Sequence, residues 1–174
     1  MSNAQPKGDF VEMKVTGLTI DPFTSMPIII LKDMQEKRAL PIWIGLIEAS
    51  SIATELENMK LTRPMTHDLM KLMLENLGAK VAYVAITQLA DNTFYSSIVL
   101  NSEKGELLLD ARPSDAIALA LRAKTSIYVA EDVIAKSRQI DAALHSPDQE
   151  KARKEKWAEI LENLSPEDFG KYKM

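Results

Sequence analysis

One stretch decides the fold: Asp110-Ala111-Arg112-Pro113-Ser114-Asp115-Ala116-Ile117-Ala118-Leu119-Ala120. Three consecutive leucines come just before it and predict a short strand, whereas its alanine- and leucine-rich second half predicts a helix. Proline presets φ for a first helical turn, where its missing N–H has no helical partner. The Arg-Pro pair is therefore predicted to open a helix directly after a strand.

Apolar patterning on either side of this stretch predicts the remaining elements. The predicted strands are 10–20, 27–31, 39–44, 81–89, 94–100, 107–109 and 127–129. The predicted helices are 46–60, a segment between Pro64 and Gly78, 114–124 and 131–136. Strands and helices do not alternate regularly, so we predict an α+β fold with an antiparallel or mixed sheet and helices packed on it.

Two local details of these elements are also predicted. The helix between Pro64 and Gly78 is expected to bury one apolar face, made of Leu69, Leu72, Met73 and Leu77. The pair Asp91-Asn92 is expected to form a tight hairpin turn between two strands.

The chain is predicted to contain one main domain and a C-terminal appendage. Residues 9–136 form the domain, the polar segment 137–147 is a linker, and 148–174 form a charged helix followed by a polar tail. The apolar stripe of that helix, which includes Trp157, is narrow, so the helix needs a surface of its own domain or of a neighbouring subunit. The sequence does not identify a protein partner for it.

The composition excludes several kinds of chemistry. The 174 residues include no cysteine and two histidines, which excludes thiol nucleophiles, cysteine-held zinc, iron–sulfur clusters and multi-histidine metal sites. A bound metal would be held mainly by carboxylates, so Mg²⁺ or Mn²⁺ is the expected cofactor. The net charge of −4 argues against strong non-specific binding of nucleic acid.

The N-terminus lacks the basic and apolar regions of a signal peptide, and no apolar run approaches the length of a membrane span. We therefore expect a cytoplasmic protein with no membrane partner.

Two similar helix openings are the most informative polar feature of the sequence. Arg63-Pro64-Met65-Thr66-His67-Asp68 and Arg112-Pro113-Ser114-Asp115 each place an arginine before a proline, then a hydroxyl and an aspartate. In a structural interpretation the aspartates complement the positive helix ends and the arginines pair with carboxylates. In a functional interpretation the openings converge, because helix N-termini and arginines bind phosphate.

The functional interpretation assigns a role to each polar residue. The predicted catalytic residues are His67, Asp68 and Asp115; the predicted substrate-binding residues are Arg63, Arg112, Thr66 and Ser114; and the predicted metal ligands are Glu48, Asp110 and Asp115. Histidine exchanges protons near neutral pH, so His67 is the candidate acid or base. It lies four residues from Lys71 on a polar stripe, so we expect it outside the core, and no serine is placed beside it by the sequence.

The sequence resembles a known family in four ordered blocks. They are Leu40-Pro41-Ile42-Trp43-Ile44-Gly45 with Glu48-Ala49, then Arg63 to Leu69, then Asp91-Asn92-Thr93-Phe94-Tyr95, then Asp110 to Ala120. The resemblance is to the bifunctional nuclease domain family and runs from about Met13 to Lys136. It implies a compact α+β domain that self-associates, and family members are reported to cleave both RNA and DNA. The C-terminal segment does not match the helical hairpin that some members carry.

Two hypotheses follow from different functional classes. The first is a nuclease that hydrolyses phosphodiester bonds in RNA or DNA with a divalent cation. The alternative is a non-catalytic, oligomeric module that binds a protein or an anionic ligand through the same helix openings. The nuclease hypothesis predicts that His67, Asp68, Arg112 and Asp115 lie in one cleft.

Overall fold

The computed structural model describes residues 5–21 and 24–144, and it describes the side chains as far as Arg138. The described residues form seven strands and four helices. In chain order they are β1 (Phe10–Ile20), β2 (Pro27–Asp33), β3 (Ala39–Trp43), α1 (Leu46–Leu56), α2 (Thr66–Asn76), β4 (Lys80–Ala90), β5 (Thr93–Ser102), β6 (Gly105–Ala111), α3 (Pro113–Ala123), β7 (Ser126–Ala130) and α4 (Glu131–Leu144). The predicted α+β class is confirmed.

The seven strands form one mixed sheet in the order β3-β2-β1-β7-β4-β5-β6. The first three strands make an antiparallel meander, and β4, β5 and β6 make a second antiparallel group. Strand β7 joins the two groups, since it pairs antiparallel with β1 and parallel with β4. The predicted mixed sheet is therefore confirmed.

The hairpin between β4 and β5 turns at Asp91 and Asn92, as the sequence predicted. Both residues have positive φ, 48° and 57° respectively. Two-residue hairpin turns with positive φ at both positions match the right-handed twist of the strands, and aspartate and asparagine tolerate that conformation.

Helix α3 lies at the centre of the packing. Five consecutive residues, Ala116 to Ala120, are buried, so the helix is covered on all sides along this segment. It packs on β4 and β5 and is contacted by both α1 and α2. The small alanine side chains allow these close approaches. Because the helix is covered on all sides, its buried segment contains apolar residues.

Helix α2 is not held in the way the sequence predicted. The four residues of its expected apolar face are exposed, and His67 is its buried residue. The helix is anchored instead by Asp68, which accepts a hydrogen bond of 2.5 Å from Nε of Arg122 on α3. Arg122 is 5% exposed and also donates to the carbonyl oxygens of Ala118 and Ser51. The sequence correctly predicted that α2 is amphipathic. At the first turn, however, the polar side of the helix faces the protein and the expected apolar face is exposed.

Two other expectations need correction. Helix α1 ends at Leu56, before the predicted residue 60. Helix α4 continues to Leu144, past the predicted end at residue 136, so residues 137–144 of the predicted linker are helical. No helix-breaking residue precedes Pro147, and Ala142 and Ala143 favour helix.

The contacts group the chain as far as Ser137 into one compact unit, and this unit contains all of the predicted site residues. The predicted linker end, charged helix and tail over residues 145–174 lie outside the described residues. None of the helices in the described part is long and apolar enough to cross a membrane.

The anchoring of α2 predicts a defined effect of Asp68→Asn. The change leaves the buried Arg122 guanidinium without its carboxylate, so we expect a loss of about 2–3 kcal/mol in the free energy of unfolding. This is below the value for a fully buried pair because 34% of the Asp68 side chain is exposed. Glu75→Gln, which removes an exposed carboxylate from the same helix, should change it by less than about 0.5 kcal/mol.

The cost of Asp68→Asn should also depend on pH. Burial raises the pKa of Asp68, but hydrogen bonds from the Met65 N–H and from Arg122 outweigh burial and hold the pKa below its usual value. A lowered carboxyl pKa stabilises the fold above the unfolded pKa of about 3.9 and stops doing so as pH falls through the folded value. Urea unfolding at pH 7 and at pH 3 should therefore show a smaller difference between the two proteins at pH 3. An equal difference at both pH values would contradict the anchor.

Candidate functional site

The helix openings surround a cleft of about 540 Å³, called here the site cleft. Its polar lining comes from α1, α2, the end of β6 and the start of α3. The lining residues that carry chemistry are Glu48, Ser51, Thr66, His67, Asp110, Arg112 and Asp115. Tertiary structure thus brings together polar residues that lie on four different elements.

The first turns of three helices place the charged groups. Glu48 is in the first turn of α1, and Asp115 is in the first turn of α3, where each carboxylate complements the positive helix end. Arg112 is the N-cap of α3, and Pro113 follows in the first turn, as predicted. Any side chain at Gly45 would collide with the carboxylate of Glu48, so glycine leaves room for that group.

A chain of hydrogen bonds runs through His67. Its Nδ1 lies 2.9 Å from Oγ of Ser51, and its Nε2 lies 3.2 Å from Oδ1 of Asp115. His67 is 8% exposed, so the expectation that it lies outside the core is wrong. The sequence also placed no serine beside this histidine, whereas the packing of both α1 and α2 on α3 brings Ser51 next to it. Both ring nitrogens are engaged, which fixes the plane of the imidazole.

Arg112 closes this network at the mouth of the cleft. Its Nε and Nη2 donate to Oδ2 and Oδ1 of Asp115 at 2.8 and 3.2 Å, and its Nη1 lies 2.9 Å from Oε1 of Glu48. A guanidinium has five N–H groups, so the three contacts leave two of them unused. The side chain is 66% exposed, and the unused donors are therefore available to a ligand.

The network keeps Asp115 ionised. Burial raises the pKa of Asp115, but the hydrogen bonds from Arg112 and His67 lower it by more, and the pKa lies below its usual range. The same contacts raise the pKa of Arg112, first through its hydrogen bond to Asp115. At neutral pH the cleft thus holds a carboxylate bridged between a permanent cation and an imidazole.

The two helix openings are not equivalent in the structure. His67, Arg112 and Asp115 line the site cleft together, but Asp68 and Arg63 line a second cleft next to Arg122. Helix α2 begins at Thr66 with Met65 as its N-cap, so the proline of the first opening is not in the first turn.

The two predicted hydroxyls also separate. Thr66 lines the site cleft, whereas Ser114 is buried and faces a neighbouring cavity that includes Trp43.

The predicted metal ligands do not form a preassembled metal site. Glu48 and Asp115 are both bonded to Arg112, and only Asp110 has a carboxylate without an ion pair among the three. Across residues 5–21 and 24–144, no group of three or more histidine, aspartate or glutamate side chains is placed to hold a metal ion. As arranged, the donors fit a guanidinium and not a resident divalent cation.

Sequence reasoning missed two residues of this region, Ser51 and Arg122. Arg122 carried a usable signal, because a single arginine on an otherwise alanine- and leucine-rich helix needs a partner when that helix is buried. It lies two turns after Asp115 and therefore shares a face with it. Ser51 carried no signal, because Ser50 lies beside it and the sequence does not indicate which of the two serines contacts His67.

Comparison with known proteins agrees with this architecture. The family model of the bifunctional nuclease domain matches residues 29–141. An uncharacterized protein of Mycobacterium tuberculosis (strain H37Rv) is 36% identical over 167 residues, which cover 91% of this chain and 97% of that protein.

Plant proteins match a shorter part of the chain, over about a third of their own length. Bifunctional nuclease 1 of Oryza sativa subsp. indica is 35% identical over 93 residues, covering 52% of this chain and 28% of the plant protein. Bifunctional nuclease 1 of Arabidopsis thaliana is 29% identical over 108 residues, covering 59% and 33% respectively. The domain match spans more than half of the chain, and the chain therefore belongs to the bifunctional nuclease domain family.

Proposed function

We propose that this protein is a nuclease that hydrolyses phosphodiester bonds in RNA or DNA. The observation that carries the proposal is the continuous network Ser51–His67–Asp115–Arg112–Glu48 at the edge of one cleft. Family membership and the plant relatives that are named nucleases support the same reaction.

Arg112 is the proposed phosphate-binding residue. Two of its N–H groups are unused and face solvent, and arginine binds phosphate oxygens through paired donors. Its contacts with Glu48 and Asp115 restrict the guanidinium before a ligand arrives, so little side-chain entropy is lost on binding. Thr66, at the start of α2, lines the same cleft and is a second proposed contact.

His67 and Asp115 are the proposed proton-transfer pair. In hydrolysis an oxygen of water bonds to phosphorus, the bond from phosphorus to the leaving oxygen breaks, and one proton passes from the water to that oxygen. His67 can hold this proton at Nδ1, which the proton reaches through the Ser51 hydroxyl, while Asp115 accepts from Nε2 and balances the charge of the protonated imidazole. Ser51 orients the ring through Nδ1, and we propose that Asp68 acts by positioning α2 and hence His67.

The pair predicts large effects of substitution on cleavage. Asp115→Asn keeps the size of the side chain but removes its charge, so turnover of a single-stranded oligonucleotide should fall at least about tenfold. His67→Ala should lower it by roughly 10²–10⁴-fold. Lys104→Gln, an exposed change on the β5–β6 turn, is the control and should cleave at the wild-type rate.

Rates are compared on electrophoretically resolved fragments, with circular dichroism to establish that each variant is folded. Cleavage at the wild-type rate by a folded Asp115→Asn, His67→Ala double variant would assign the activity to another site or to a contaminant.

The charge of the site cleft supports a role for Mg²⁺ or Mn²⁺ in the reaction. Three carboxylates, Glu48, Asp110 and Asp115, face one arginine there, so a phosphate enters a site with excess negative charge. Because the donors do not form a preassembled metal site, we propose that the cation is a weakly held component and not a resident cofactor.

This charge balance predicts how cleavage responds to metal removal. Excess EDTA should reduce cleavage strongly, and millimolar Mg²⁺ or Mn²⁺ should restore it, whereas the thermal unfolding temperature should stay within about a degree, since the described residues form no preassembled metal site. Asp110→Asn should raise the Mg²⁺ concentration needed for half-maximal rate. Full activity in EDTA would refute the cation requirement and leave the proton-transfer pair as the whole catalytic device.

The alternative function is a non-catalytic, oligomeric binding module. The observation that favours it is that each hydrogen bond and ion pair of the network would also be expected if the network only stabilised the fold. It predicts saturable binding of an oligonucleotide or other anion with no turnover under any metal condition, and the cleavage assays above distinguish the two.

A homo-oligomer is proposed under either function. Strand β6 is the edge of the sheet in the described part of the chain, and it exposes three consecutive leucines, Leu107, Leu108 and Leu109. An exposed apolar edge strand is prone to pairing, and two identical edges pair antiparallel about a twofold axis. We propose that a second copy of the chain covers this edge, next to Leu109, which also lines the site cleft.

The edge proposal predicts a change in mass on Leu108→Glu. Light scattering after size exclusion should give a dimer or larger species for the wild type and a smaller species for the variant, because a charge on a buried interface is unfavourable. Met34→Glu, at an equally exposed apolar residue in the β2–β3 turn, should leave the mass unchanged. A wild-type monomer at micromolar concentration would exclude this interface.

A further inference from the structure

A second cleft carries the opposite charge to the site cleft. This basic cleft has a volume of about 460 Å³, and four of its lining residues are cationic: Arg63, Lys71, Arg122 and Lys124. Its acidic lining residues are Glu55 and Asp68. The chain as a whole has a net charge of −4, so this local excess of positive charge runs against the composition.

The four cations are not equally available. Arg122 is consumed by its bonds to Asp68 and to two backbone carbonyls. The Nζ of Lys71 is 3.8 Å from Glu75, a long contact. In the part of the chain that the structure describes, neither Arg63 nor Lys124 pairs with a carboxylate, and both are exposed. Among the described residues, Arg63 and Lys124 therefore line the cleft without a carboxylate partner, and Lys71 has only a distant one.

The basic cleft and the site cleft share one wall. Consecutive residues at the start of α2 serve the two sides, since His67 lines the site cleft and Asp68 lines the basic cleft. Arg122 donates to the carbonyl oxygen of Ser51 at 3.1 Å, and Oγ of Ser51 contacts His67 at 2.9 Å. A ligand long enough to pass the start of α2 can thus contact both clefts.

The lining also contains exposed apolar side chains beside the cations. Met59 and Leu61 lie on the loop after α1, and Leu72 lies on α2. A positively charged groove that follows the phosphate backbone is one feature of proteins that bind single-stranded nucleic acid, and the exposed apolar side chains offer contact area to its bases.

We propose that the basic cleft binds backbone phosphate of single-stranded RNA or DNA, outside the scissile position, through Arg63, Lys124 and Lys71. The inference rests on the proposed nuclease function and extends it. The site cleft holds more carboxylates than cations, so it repels a polyanion, and the attraction that holds the substrate comes from the basic cleft. In this proposal the basic cleft on one side of α2 binds the substrate, and the site cleft on the other side carries out the hydrolysis.

Binding of a fluorescein-labelled twelve-nucleotide single strand, followed by anisotropy in EDTA, tests the proposal. All proteins carry Asp115→Asn, which together with EDTA keeps cleavage slow, and electrophoresis after each titration establishes that the probe is intact. The test variant adds Arg63→Gln and Lys124→Gln, and the matched control adds Lys80→Gln and Lys104→Gln, which are exposed lysines outside the cleft with the same change in charge. Lys71→Gln is a separate single variant, and thermal unfolding establishes that each protein is folded.

The test variant should bind about 5- to 30-fold more weakly, and the slope of log Kd against log salt should fall by roughly 1.4, which corresponds to two phosphates at about 0.7 each for a single strand. Lys71→Gln should weaken binding in the same direction, and the control should change neither quantity. Equal affinity and equal slope in the test and control variants would overturn the proposal. Competition by inorganic phosphate would also overturn the proposal if phosphate displaces the strand at a concentration equal to its own Kd for the protein, because the cleft would then be a site for a small anion.

The outcomes separate this inference from the nuclease proposal. If the wild type cleaves and the test variant binds like the control, the nuclease stands and the basic cleft is wrong. If the test variant binds weakly and the wild type never cleaves, the cleft binds nucleic acid and the enzymatic proposal is wrong.

Discussion

The buried guanidinium of Arg122 is the contact on which the arrangement of the helices depends. Its donors bond to Asp68 on α2, to the Ser51 carbonyl on α1 and to Ala118 on its own helix. A charge that is 5% exposed is stable only when it is fully paired, so these partners are required and not incidental. The apolar face of α2 is exposed, and this cation is therefore a main contact that holds the helix against α3. Arg122 thereby fixes α2 in the position from which His67 reaches Asp115.

A structural role and the proposed functional role meet in the same few residues at the start of α2. Asp68 points to one side and neutralises Arg122, while His67 points to the other and meets Ser51 and Asp115. This explains why fold stability and site geometry are coupled here. A substitution that loosens Arg122 also displaces the imidazole, so activity and stability must be measured together to assign a role to any residue of this wall.

Charge is distributed unevenly in a way that the net value hides. The site cleft gathers carboxylates around Arg112, and the basic cleft gathers cations around Asp68. A net charge of −4 argued against nucleic acid when it was considered as an average. Electrostatic attraction depends on the local field within about a Debye length, roughly 8–10 Å at physiological salt, so a local cationic cleft is what matters to a phosphate chain.

Much of the fold could be predicted from the sequence because its strands and helices are locally encoded. Period-two strands, the Arg112-Pro113 opening and the turn at Asp91-Asn92 each depend on neighbours along the chain. The family blocks added the domain type, and Arg112 and Asp115 were named together because they belong to one opening. Those parts required no knowledge of what lies across the sheet.

Other features were decided only by tertiary structure. The sequence shows that α2 is amphipathic, but only the packing decides that its apolar face is exposed and that His67 turns inward. Strand β7 joins the two halves of the sheet through pairings with β1 and β4, and no local pattern specifies such distant partners. Ser51 contacts His67, and Lys124 lines the same cleft as Arg63, although the members of each pair lie far apart in the chain. The physical reason is that propensity and capping act over one helical turn, whereas a buried charge such as Arg122 selects its partners from whatever the folded chain brings within reach.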